Sequence, residues 1–163
     1  GDPLAGWQIL VNLLRPRGLM NIGLYSETAR QHIIEGHSII AEKSYSTSSV
    51  DIRQCRQDII TMTEDGNPTM AKICNYRDFF SLSECRDLLF HVQEHRFSIP
   101  KISDHLDRLG LTFCGFESVK INKLFKEKYP DDEKLYDLNY WNEFEMQYPD
   151  TFLGMYQFWC QKL

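Results

Sequence analysis

The apolar positions of this chain fall into short runs whose period changes from helical to extended and back. Leu10, Leu13 and Leu14 stand at helical spacing behind Asp2-Pro3, a cap followed by a first-turn proline, so Leu4 to Leu14 is predicted as a helix. Arg15-Pro16-Arg17-Gly18 ends it, because proline cannot extend a helix and glycine accepts a left-handed turn. Leu19 to Tyr25 then reads as a strand, apolar on both faces as if covered on each side, with Gly23 permitting close backbone approach. Ser26 follows as a helix cap, and Glu27 sits in the first turn, at the positive end of the dipole.

From Glu27 to Lys43 a helical stripe runs through Ile33, Ile34, His37, Ile40 and Ala41. Ser44 to Ser49 is a polar break, Val50 to Met62 a third helix, Glu64 to Pro68 a turn cluster and Met70 to Tyr76 a short fourth helix. Ser81 or Ser83 caps a helix from Leu82 to about Phe90, Ser81 and Glu84 having capping-box spacing. Ser98-Ile99-Pro100 opens another, with Ile102, His105, Leu106 and Leu109 on one face and Gly110 at its end. Leu111 to Phe116 is the second strand, and Val119 to Lys128 and Leu138 to Met146 are helices. Thr151 to Cys160 is almost wholly apolar, the pattern of a last strand buried on both sides, with Met155 to Cys160 in the sheet.

The expected fold is therefore α/β and a single domain over residues 1–163: a helix-strand-helix unit to residue 30, a helical insertion over 27–97, and C-terminal helices and strands over 98–163 around a small three-stranded sheet. Roughly 70 residues separate the first two strands, against the dozen or so that a crossover needs. An insertion of that size beyond the carboxyl ends of strands serves as a lid or substrate cover, or is a structural bundle and nothing more.

DPLAGW at Asp2 to Trp7, LLRPRG at Leu13 to Gly18 and IGLYSETAR at Ile22 to Arg30 resemble the second half of a bacterial class I S-adenosylmethionine-dependent methyltransferase. Arg77 to Ile102, Leu106 to Glu117 and Pro149 to Lys162 extend the likeness over nearly the whole chain. The resemblance implies a mixed, partial Rossmann-like methyltransferase sheet whose last strand runs antiparallel to the other two and lies between them. It implies methyl transfer as the chemistry, with the region after the first strand shaping the acceptor pocket. The chain departs from the family in two respects. Arg17 stands where the family turn usually has glycine, and no glycine-rich loop or acidic strand end of the cofactor-binding half is present. S-adenosylmethionine is thus implied for the complete protein and no cofactor for this chain, which is expected to be a truncated, inactive part of that enzyme.

Hydrophobic content of 42% and charged content of 25% place the chain among globular rather than disordered proteins. Net charge is 18 − 23 = −5, and Pro130 to Asp150 carries seven acidic residues against Lys134, leaving +1 elsewhere. No field attractive to nucleic acid or to an anionic membrane results. The acidic segment reads as a solvated surface. Five scattered cysteines fit reduced, buried thiols in a cytoplasmic protein better than a disulfide framework. No apolar run approaches the roughly 18 residues of a membrane span.

His91-Val92-Gln93-Glu94-His95 matches H-x-x-E-H, the inverted zinc-protease signature, which on a helix would set two imidazoles one turn apart with a carboxylate beside them. The third ligand it needs has only Glu143 and Glu145 to offer, on an acidic helix that reads as exposed, and Arg96 to Pro100 breaks the segment at once. Zinc hydrolysis is accordingly the weaker alternative. Ordinary polar residues at a helix end are the commoner outcome, and a third possibility is that His91, Glu94 and His95 face the acceptor pocket. Tyr25, Ser26 and Arg30, at the carboxyl end of the first strand, complete the candidate acceptor-pocket set. Ser26 is equally explained as a cap and Arg30 as a surface charge, and His32, His37 and His105 read as core or boundary residues. Trp141, Tyr148, Phe152, Tyr156, Phe158 and Trp159 form an aromatic core, or a self-association surface where the absent strands leave it uncovered. A non-catalytic module that forms a homodimer is the alternative function.

Overall fold

The computed structural model describes residues 2–91 and 94–163. Cα packing divides the chain into two compact units, Gly1–Ala29 with His95–Leu163, and Arg30–Glu94.

The first unit is built on a four-stranded mixed sheet, so the fold class is α/β. Helix α1 (Pro3–Leu13) leads into β1 (Leu19–Ser26); after the helical unit come β2 (Arg96–Phe97), α6 (Ile99–Leu109), β3 (Leu111–Phe116), α7 (Val119–Lys128), α8 (Leu138–Gln147) and β4 (Tyr156–Lys162). The strand order is β2-β1-β4-β3. Strand β4 runs antiparallel between β1 and β3, with Ile22 opposite Phe158 and Phe116 opposite Phe158 on its other side. Strand β2 is parallel to β1 and touches only its end, pairing Tyr25 with Arg96 and Ser26 with Phe97.

One face of this sheet makes the core. Ile22, Phe97, Phe113 and Phe158 pack with Trp7 and Val11 of α1, Ile102 and Leu106 of α6, and Trp141 and Phe144 of α8. The Phe125 and Trp141 rings stack at 3.9 Å, and burial of aromatic side chains of this size contributes about 2–3 kcal/mol each. Gly110 ends α6 at φ +62, the left-handed position expected of it. Lys162 fastens the last strand to the first helix, its Nζ donating to the Val11 and Leu14 carbonyls at 2.9 Å each, where α1 runs out of internal partners.

The second unit is a helical bundle: α2 (Gln31–Glu42), α3 (Ser49–Glu64), α4 (Pro68–Cys74) and α5 (Leu82–Leu89). Its core is separate, centred on Ile33, Ile52, Ile59, Met70, Ile73, Phe79 and Leu89. Gly36 lets α2 approach closely, since a Cβ there would stand 3.1 Å from both Ile73 Cδ1 and Leu89 Cδ2.

Five local expectations are corrected. The sheet has four strands where three were expected, because two residues of β2 suffice to pair with the end of β1. The strands are not buried on both faces: along β4, Tyr156, Phe158 and Cys160 are buried while Gln157 and Trp159 are exposed. Residues Pro149–Phe152 form a 3-10 turn, so β4 begins five residues later than Thr151. Ser81 makes no capping hydrogen bond to α5 and instead shares a hydrogen bond with Ser83. In the turn before β1 the left-handed residue is Arg17, at φ +61, and not Gly18. Gly18 is needed for space, because a Cβ there would lie 2.8 Å from the Arg15 carbonyl oxygen.

Candidate functional site

In the first unit the candidate residues collect at the carboxyl end of β1. Tyr25 is half-buried and Ser26 fully buried. The Ser26 hydroxyl accepts from the Ala29 N–H at 3.0 Å, so it caps a turn, while α2 starts only at Gln31. The same hydroxyl donates to Glu145 Oε1 at 2.7 Å. Tyr156 OH lies 2.8 and 2.7 Å from the two Glu145 oxygens, so a strand end, a neighbouring strand and α8 share one carboxyl group.

Glu145 is 2% exposed, not part of the solvated acidic surface that its neighbours suggested. Helical spacing carried the signal: Leu138, Trp141 and Glu145 stand at i, i+3 and i+7, and all three are buried. Burial raises the carboxyl above the ordinary glutamate range, although the Ser26 and Tyr156 hydroxyls oppose the shift. The Tyr156 phenol is raised too, by burial and then by the charge of Glu145. Chemically the triad can hold a proton inside the protein, and mechanically it ties α8 to the sheet.

In the second unit, Arg30 is 4% exposed and thus no surface charge. Its Nε and Nη2 donate to Glu94 Oε1 and Oε2 at 2.9 and 2.7 Å. This two-toothed pair unites two of the six candidate residues, which are also the first and last residues of the unit.

The H-x-x-E-H segment is not helical where it is described. Helix α5 stops at Leu89, and His91 and His95 are exposed residues outside any helix; Val92 and Gln93 lie outside the described residues. The one-turn spacing of imidazoles that the zinc signature requires is therefore not built, and Glu94 is committed to Arg30. Among the described residues no group of three or more His, Cys, Asp or Glu side chains could hold a metal ion.

His91 instead borders a cavity of about 520 Å³ in the helical unit, together with His37 of α2 and Phe90. A wider cleft of about 1,070 Å³ in the first unit lies between α7 and the end of α8, floored by Ile121, Leu124 and Phe144. The cysteines offer no reactive centre in the cores: burial pushes the Cys55, Cys85 and Cys160 thiols up to about 12, 11 and 12. Cys74 and Cys114 are half-buried, and all five are free thiols. Among the described residues no helix is long and apolar enough to cross a membrane.

No protein-family model matches this chain, and no curated protein sequence matches it either.

Proposed function

We propose that this chain is the carboxyl-terminal, acceptor-side portion of a bacterial class I S-adenosylmethionine-dependent methyltransferase, inactive until joined to the half that binds the methyl donor. The observation that carries the reading is strand order: β4 runs antiparallel between β1 and β3, the arrangement that the resemblance implies. Arg17 adds to it, because the residue standing in place of the family's glycine occupies a left-handed backbone conformation that glycine would take without strain. Methyl transfer is an in-line displacement helped mainly by positioning. The donor supplies the electrophilic methyl group. The part left to this chain is to bind and orient the acceptor, in the first unit with Tyr25 beside Ser26 at the end of β1. A reducing cytoplasm suits its five free thiols.

The test is the reading frame upstream of Gly1 in the encoding genome. A strand, a glycine-rich turn and an acidic strand end are expected there. An initiator codon directly before Gly1 would contradict the reading.

A second reading rests on a different observation. Ile9, Leu10 and Leu13 form an apolar stripe on α1 that is 64, 52 and 80% exposed, and Leu19 at the start of β1 is 56% exposed. Of β1, only Tyr25 and Ser26 pair on the side away from β4 among the described residues, which leaves Leu19 to Leu24 as an open edge. Open edges and apolar stripes recruit protein. We propose that the isolated chain covers them by forming a homodimer.

A further inference from the structure

We propose that the helical unit carries a binding site for a small, uncharged, hydroxylated ring, a phenol or close relative, in the cavity bordered by His37 and His91. At about 520 Å³ the cavity falls within the range of small-molecule sites, about 300–1,000 Å³.

The chemistry of the wall selects the ligand. Ile40, Leu89 and Phe90 give it an apolar side suited to a flat ring. Among the described residues no carboxylate, ammonium or guanidinium group lines it. A charged ligand would find no unpaired counter-charge on this wall. Helices α2 and α5 both run toward the cavity with their carboxyl ends. Their negative dipole ends disfavour an anion further and favour the hydrogen of a hydroxyl group. A neutral imidazole offers one donor and one acceptor, which matches a hydroxyl on both counts, and His91 is exposed at the cavity mouth.

The rim is held in place before any ligand arrives. Tyr45 OH donates to Asp58 Oδ2 at 2.5 Å, Lys43 Nζ donates to the same oxygen at 2.5 Å, and Ser46 donates to Asp51 through both its hydroxyl and its backbone N–H. The Lys43 and Tyr45 hydrogen bonds hold the Asp58 carboxyl down at about 2, so these tethers persist at neutral pH. Between them Ser44, at φ +54, is the left-handed residue that closes α2, with the Tyr45 N–H donating to the Ile40 carbonyl and the Ser44 N–H to the Ala41 carbonyl. Such preorganisation lowers the entropy lost on binding. The cavity belongs wholly to residues 30–94, so failure of the methyltransferase reading would leave it standing, and its own failure would leave the strand order untouched.

The experiment titrates 4-methylphenol into the 163-residue chain labelled with ¹⁵N in its histidines, whose five imidazoles report from separate places. His37 and His91 should shift saturably, with a Kd of about 1 mM or tighter for so small a ligand. His32, His95 and His105 should stay put, and benzoate and benzylamine should bind at least about tenfold more weakly. Ala41→Trp, placed at the exposed mouth, should abolish the shifts while the other imidazole signals keep their positions. No saturable shift at His37 or His91, an equal response at all five histidines, or benzoate binding as tightly as 4-methylphenol would overturn the proposal.

Discussion

Arg30 and Glu94, 64 residues apart in sequence, are joined by two parallel N–H···O bonds of 2.9 and 2.7 Å, and their side chains are only 5 and 10% exposed. Helix propensity says nothing about such a pair. The guanidinium fork fits a carboxylate at both oxygens, and burial removes the competition of water. Because the two residues begin and end the helical unit, their bond fixes both its ends to each other.

Removing one partner would leave the other charged and buried, which costs about 3–5 kcal/mol. Arg30→Ala and Glu94→Ala should each lower stability by an amount in that range, and the double substitution should cost clearly less than the sum. Urea unfolding followed by circular dichroism measures this. A loss below about 1 kcal/mol, the value of an exposed pair, would mean the clasp is open in solution.

The turn before β1 gives a prediction of opposite sign. Arg17 sits at φ +61 with its N–H donating to the Lys162 carbonyl at 3.0 Å. A side chain in that conformation costs about 1–2 kcal/mol. Arg17→Gly removes the strain and keeps the hydrogen bond, offset in part by the freer unfolded chain. Thermal unfolding should show a gain of about 0.5–1 kcal/mol; a loss would mean that the arginine side chain holds the turn.

Glu145 should make stability depend on pH. Its carboxyl is raised in the folded protein, chiefly by burial, so the folded chain binds a proton more readily than the unfolded one. Stability contributed by this group is then present in acid and declines as pH rises from the ordinary glutamate range toward the raised value. Glu145→Gln keeps the shape and hydrogen-bonding groups and abolishes the decline. Denaturation midpoints of both proteins should therefore agree in acid and diverge between pH 4 and 8, the wild type falling below the variant as pH rises. A wild-type advantage that grows with pH would show that Glu145 is buried as a well-compensated carboxylate instead.

Much of the fold was legible because period and punctuation agree. Leu19 to Tyr25 lies between a Pro-Gly break and a polar strand end, and Ser98, Pro100 and Gly110 bracket α6 where they were expected to. Partnership across the chain was not legible. Arg30 looked like a surface charge because nothing near it in sequence reveals Glu94, and Glu145 looked solvated because local charge density outweighed its place on the Leu138-Trp141 stripe. Strand β2 was missed because two residues carry no period. Two-sided burial of β1 and β4 was inferred from apolar content, yet Leu19 and Trp159 are apolar and exposed.

That exposed apolar surface leads to a prediction about assembly. With Ile9, Leu10, Leu13 and Leu19 uncovered, the isolated chain should sediment as a dimer. Leu10→Lys with Leu13→Lys, both at exposed positions, should return it to a monomer without unfolding it. A concentration-independent monomer of the unaltered chain would show that these residues need no cover.

Donor binding tests the central claim most directly. Calorimetry should compare residues 1–163 with the same chain preceded by the residues encoded upstream in its frame, each titrated with S-adenosylmethionine. The shorter chain should give no saturable heat, and the longer one a single site of micromolar affinity. Saturable micromolar binding by residues 1–163 alone, or none by a folded longer chain, would contradict the methyltransferase account.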